Sequence, residues 1–99
     1  MVDHVPRSRE HELWLFRKAR EKFWKLKTLA RKYRAVSRSD LESMHDEIRE
    51  AVEPAMTSGR LSDVSNLTYL TICKSKALVA AIHRRLLVFG IPYAELNAD

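Results

Sequence analysis

The chain has 99 residues, with 18 Lys and Arg against 13 Asp and Glu for a formal charge of +5, and it contains one cysteine, two glycines and three prolines. That length allows one domain, burying about 60–65% of the surface its unfolded form exposes, and a lone cysteine excludes an intrachain disulfide framework. The longest apolar run, residues 77–82, is cut by His83, Arg84 and Arg85, far short of the roughly 20 residues a membrane span needs. No signal peptide precedes the first charged helix, so a reducing cytoplasm is the expected compartment.

A long amphipathic helix is expected over about residues 9–36. Ser8 is its N-cap, and Glu10 and Glu12 stand in the first turn, where a helix N-terminus favours negative charge. Phe16, Ala19, Phe23, Leu26, Ala30 and Tyr33 recur at spacings of three and four, with Leu15, Leu29 and Val36 widening one side. At 1.5 Å per residue this stripe is roughly 42 Å long. The same helix is strongly basic: ten Lys and Arg lie between Arg17 and Arg38, with Glu21 the only acid among them.

The polar run 37–40 interrupts the pattern, and Ser39 with Glu42 forms a capping-box pair that starts a second helix, expected over about 40–53. Leu41, Met44, Ile48, Ala51 or Val52, and Ala55 mark its apolar stripe. Pro54 lacks a donor and should end or kink it near Val52. This helix is acidic, since residues 40–63 hold seven Asp and Glu against Arg49 and Arg60. A third helix is expected over about 63–89, with N-cap candidates Ser62, Asp63 and Ser65. Its apolar line runs through Leu67, Leu70, Cys73, Ala77, Leu78, Ala81 and Ile82 to Phe89, Gly90 suits the left-handed position beyond its end, and residues 91–93 leave as a tail.

The expected fold is therefore all-α, a single three-helix domain spanning the chain. The last two helices form an antiparallel hairpin, and the long first helix packs along it or extends toward a second chain. Its stripe has more apolar length than two shorter helices easily cover, so a homodimer is expected.

On a 100° helical projection Trp14 and Trp24 each fall about 140° from the centre of the apolar stripe, among Arg17, Glu21, Lys25, Arg31 and Lys32. Indoles interleaved with cations suit a contact surface; the plainer reading covers each ring with a neighbouring helix or with Lys and Arg stems. The basic run could also follow a phosphate backbone, although no helix-turn-helix, zinc-finger or aromatic RNA-binding pattern accompanies it. His4, His11, His45 and His83 show no i, i+4 pair, and Cys73 has no partner at zinc spacing and reads as a small buried hydrophobe. The paired acids 46–47, and Glu50 with Glu53, have no nucleophile beside them. No metal, cofactor or catalytic residue is expected, and the chain is not expected to be an enzyme.

The helix start Ser39-Asp40-Leu41-Glu42, a polar break, a long closing helix and then Leu86-Leu87-Val88-Phe89-Gly90-Ile91-Pro92 resemble the pattern of TraM-type antiactivators over residues 39–92. That resemblance implies a helical dimer that binds a LuxR-type quorum-sensing regulator and blocks its action on DNA. The basic, Trp-bearing first helix has no counterpart in the pattern. The expected function is thus a regulator that inhibits a transcription regulator by protein binding, with Leu13, Trp14 and Trp24 as anchors and Arg17 and Arg31 steering toward an acidic target. The alternative is a nucleic-acid-binding protein using the basic first helix.

Overall fold

A computed structural model describes residues 8–89. They form three helices and no strand: α1 (Arg9–Lys32), α2 (Arg38–Thr57) and α3 (Leu61–Phe89). The Arg9 guanidinium at the start of α1 donates to the Met56 carbonyl at the end of α2 (3.1 Å), and Lys27 meets His45 toward the opposite ends. The two helices therefore run antiparallel. Ser65 donates to the Glu12 carboxylate (2.6 Å), and Arg85 donates to the Tyr33 carbonyl (3.0 Å). These pairs join like ends of α1 and α3, which run parallel, so α2 and α3 form the expected antiparallel hairpin with α1 packed along it.

α3 is the helix that the other two share. Its backbone approaches α1 most extensively and α2 next, whereas α1 and α2 meet chiefly through long side chains. Small hydroxyl residues on its inner face permit that approach. Thr68, Thr71 and Ser75 are buried, and each donates to the carbonyl four residues back (3.1, 2.9 and 2.9 Å). Their polar atoms are thereby satisfied within α3 itself and ask nothing of α1 or α2. Around them pack Phe16, Phe23, Leu26 and Ala30 of α1, Leu41, Ile48 and Ala55 of α2, and Leu67, Leu78, Ile82 and Leu86 of α3.

This placement corrects the expected inner line of α3. Cys73 is only partly buried and Ala77 is exposed. Hydropathy favours Cys and Ala over Thr and Ser, but a hydroxyl bonded to its own helix costs little to bury where helices come closest. Of the first apolar stripe, Phe16, Phe23, Leu26 and Ala30 are buried within this chain, and Leu15, Ala19, Leu29, Tyr33 and Val36 are partly buried. The large exposed apolar residues of α3 face outward instead: Tyr69, Ile72 and Leu87.

The helix ends also move. α1 stops at Lys32, not near residue 36, because Arg34 takes a left-handed conformation (φ 52°). The Arg34 N–H bonds the Arg31 carbonyl (3.2 Å) and the Ala35 N–H bonds the Ala30 carbonyl (2.9 Å), which is a Schellman closure usually built on glycine. Ser37, rather than Ser39, caps α2: its Oγ accepts from the Asp40 N–H (3.1 Å). Glu42 instead accepts from Arg38 (3.4 Å). Pro54 does not end α2, which continues to Thr57. Glu50 and Pro54 are both exposed, so water can satisfy the carbonyl that loses its donor. Burial of Ala55 holds the last turn.

α3 begins at Leu61, which puts Ser62, Asp63 and Ser65 inside the helix rather than at its cap. The turn before it uses Gly59 at φ 76° and a bond from the Arg60 N–H to the Ser58 Oγ (3.1 Å). Gly90 and the expected tail lie outside the described residues, as does the Gly-Ile-Pro end of the antiactivator-like pattern.

The left-handed Arg34 yields a direct expectation. A Cβ at this φ costs roughly 1–2 kcal/mol, and glycine regains most of it, less its larger unfolded-state entropy. Arg34→Gly should raise stability by about 0.5–1 kcal/mol, seen as a higher midpoint in thermal denaturation. A lower midpoint would mean that the arginine side chain, not the backbone, decides this turn.

Candidate functional site

The five residues expected at a partner surface do not all lie together. Taking Leu13 as zero on a 100° projection, Arg31 falls at about 0°, Trp24 at about 20° and Arg17 at about 40°, whereas Trp14 falls near 100°. The first four share the edge of α1 that faces α2. Trp14 lies apart, stacked on His11 (centroids 6.2 Å apart, planes at 15°) with the Lys18 ammonium 5.7 Å from its ring.

Between α1 and α2 runs a groove. Its upper part, about 370 Å³, is lined by Leu13, Phe16 and Arg17 of α1 and by Val52 and Met56 of α2. Its middle part, about 310 Å³, lies between Arg20, Phe23 and Trp24 on one side and His45, Ile48, Arg49 and Val52 on the other. The floor is apolar, and the rims carry Arg17 and Arg20 beside Glu10 from α1, and Arg49 beside Glu53 from α2. Beyond the middle part, at the α1–α2 turn, lies a separate cavity that contains Arg31. Leu13, Arg17 and Trp24 thus share the groove, and Arg31 belongs to the turn.

The boundary between groove and turn is a three-residue contact. Trp24 is 48% exposed, and its ring meets His45 edge-on at 5.1 Å. The Lys27 ammonium sits 4.8 Å from the Trp24 ring centroid and 3.2 Å from the His45 Nδ1. Lys27 is only 7% exposed. An ammonium has only donors, so a neutral His45 accepts at Nδ1 and carries its proton on Nε2. The indole face supplies further attraction for the cation. Trp24 is accordingly neither core nor a free flag: it forms a half-covered wall with one side toward the groove.

Lys27, His45, Arg20 and Arg49 belong to this site and were not singled out from the sequence. Trp24 and Lys27 are three apart and so share a helix face, but His45 joins them only once the register of α2 against α1 is known.

The surroundings of His45 give it a pH response. Burial, then the positive charges of Lys27 and Arg49, lower its pKa from the ordinary 6.5, and Asp46 opposes them. Asp46 is itself engaged by Arg49 at 3.0 Å. With the folded pKa below the unfolded one, the unfolded chain binds the proton first as pH falls. The contribution is fully present above pH 6.5 and is lost as pH drops through the folded pKa. The melting temperature should therefore fall on acidification below pH 6.5, and His45→Gln should flatten that slope. An unchanged slope in the variant would assign the acid sensitivity elsewhere.

Among the described residues no group of three or more His, Cys, Asp and Glu side chains could hold a metal ion, and no helix is long and apolar enough to cross a membrane. Comparison with protein-family models, curated proteins and solved structures finds no match.

Proposed function

We propose that this protein is a small cytoplasmic regulator that acts by binding another protein, most concretely an antiactivator that sequesters a transcription regulator, as the resemblance to TraM-type antiactivators implies. The observation that carries this reading is the α1–α2 groove, with an apolar floor of Phe16, Phe23, Ile48 and Val52 under rims where Arg17, Arg20 and Arg49 outnumber Glu10 and Glu53. An amphipathic helix with acidic flanks complements both features: its apolar face fills the floor, and its carboxylates meet Arg17, Arg20 and Arg49. Inhibition follows by competition, because a face held in the groove is withdrawn from the target's own dimerisation or DNA contact.

The floor favours a protein over a nucleic acid. A phosphate backbone resting on the rims would leave Trp24 and Ile48 unfilled. We place self-association on the outward face of α3, where Tyr69 and Leu87 are 69% and 70% exposed, which leaves the groove open in a homodimer.

The test begins with fluorescence anisotropy of labelled duplex DNA and single-stranded RNA at several salt concentrations, with molar mass measured by light scattering. Weak binding at moderate salt is expected. Capture from cells should then retain a transcription regulator on the wild-type protein and lose it on Leu13→Asp, a change at a half-buried groove residue, with helical content unchanged by circular dichroism. Tight nucleic-acid binding with a steep negative salt slope would replace this reading with the nucleic-acid one.

A further inference from the structure

The cavity at the α1–α2 turn differs from the groove in both charge and shape. Its volume is about 1000 Å³, and Lys27, Arg31, Arg34 and Arg38 line it. Glu42 is the one carboxylate in the lining, and Arg38 engages it through Nε at 3.4 Å. The lining therefore carries a formal excess of three positive charges, brought together from the end of α1, the turn and the start of α2. Among the described residues the guanidinium groups of Arg31 and Arg34 make no hydrogen bond or ion pair. Arg31, Arg34 and Arg38 are exposed, so these like charges face solvent around one concave turn and are open to an anion.

Three features hold this excess in place. Arg34 sits at φ 52°, where glycine would be cheaper, and its backbone is locked by two closing bonds of the α1 terminus. Strain of this kind is kept where a side chain is needed at a set position. Lys27 is fixed at the wall between cavity and groove by His45 and the Trp24 ring, so its charge does not swing out to solvent. The negative end of α1 is meanwhile offset, because the Tyr33 carbonyl accepts from Arg85 (3.0 Å). α2 starts at the same place with Ser37 and Arg38 in the lining, so its N-terminal dipole adds to the positive field.

The geometry points to a binding site for a small molecule that carries two or more linked phosphates. Three uncompensated charges match a di- or triphosphate better than a single phosphate or a carboxylate. Two unengaged guanidinium groups offer the paired donors that phosphate oxygens take bidentately. Val36 and Leu41 give the cavity an apolar wall, and its size stands at the upper end of small-ligand pockets, leaving room for an organic group beside the phosphates. A nucleic-acid backbone fits less well, because its phosphates follow one another along a rail whereas these cations converge on a single turn. The site does not depend on the groove or on a protein partner.

The test is calorimetric titration of the full chain with inorganic tripolyphosphate, pyrophosphate and ATP, with sulfate as a control, all at constant ionic strength. Tripolyphosphate should bind at least about 100-fold more tightly than sulfate, as two charge-assisted hydrogen bonds would give. Arg31→Ala and Arg34→Gly should each weaken it by about tenfold or more, while Lys18→Ala, which removes the same charge elsewhere, should stay within about twofold. Arg34→Gly relieves backbone strain, so its loss of binding cannot be ascribed to unfolding. The assignment is overturned if tripolyphosphate binds no better than sulfate, or if Lys18→Ala weakens it as much as Arg34→Gly. It is also overturned if labelled duplex DNA binds and tripolyphosphate fails to displace it from this surface.

Discussion

Phe23→Ala should lower the unfolding free energy by about 3–5 kcal/mol. Phe23 is 2% exposed and belongs to the core cluster in which residues from all three helices meet. Removing its ring takes away apolar burial and leaves a cavity that three helices, tied at both ends by the Arg9, Ser65 and Arg85 hydrogen bonds, cannot easily close. Small domains hold only about 5–15 kcal/mol in total, so the variant should be close to unfolding at physiological temperature. Urea denaturation should show a lower midpoint with an unchanged slope. A loss below about 1 kcal/mol would mean that α2 can shift inward to fill the space, and that the α1–α2 packing yields readily.

Trp24→Ala, one residue along, should do the opposite: keep the fold and lose the partner. The ring is half exposed, and its intramolecular contacts are the Lys27 ammonium and the His45 edge. Contacts of these two kinds are each worth about 0.5–1.5 kcal/mol, so the melting temperature should fall by only a few degrees. At an interface a buried tryptophan commonly contributes about 2 kcal/mol or more, which is roughly a 30-fold change in affinity. Affinity for the captured partner, measured by calorimetry alongside far-ultraviolet circular dichroism, should drop by that much with helicity intact. If Trp24→Ala unfolds as Phe23→Ala does, the indole is part of the core, and the groove cannot be the docking surface.

The contrast between these neighbours also shows what the sequence could convey. Phe23 lies on the three-and-four stripe and Trp24 off it, so periodicity alone placed one inside and the other at the surface. Ser8 was readable as a cap because a serine before a helix with acids in its first turn has one common explanation. The end of α1 was not readable, since the residue that adopts the left-handed conformation is an arginine and no glycine marks it. The inner line of α3 was partly misread for a related reason: Thr71 and Ser75 satisfy themselves within the helix, and hydropathy cannot register that. The groove lay beyond reach because it depends on how α2 is turned against α1. Trp24, Lys27 and His45 converge through a register that no local pattern encodes, whereas Arg31 is parted from Leu13 by 18 positions along α1, roughly 27 Å at 1.5 Å per residue.

The parallel pairing of α1 with α3 bears on how the chain is made. Its two joining bonds, Glu12 with Ser65 and Tyr33 with Arg85, link residues 53 and 52 positions apart, and the most extensive helix contact in the molecule is the one that spans the whole of α2. A nascent chain leaving the ribosome at about 5–20 residues per second therefore emerges for several seconds with the inner face of α1 uncovered, and α2 alone offers it little backbone contact. The aromatic, strongly basic first helix is consequently open to chaperones and to the anionic surfaces of the ribosome itself until α3 has emerged as far as Leu86.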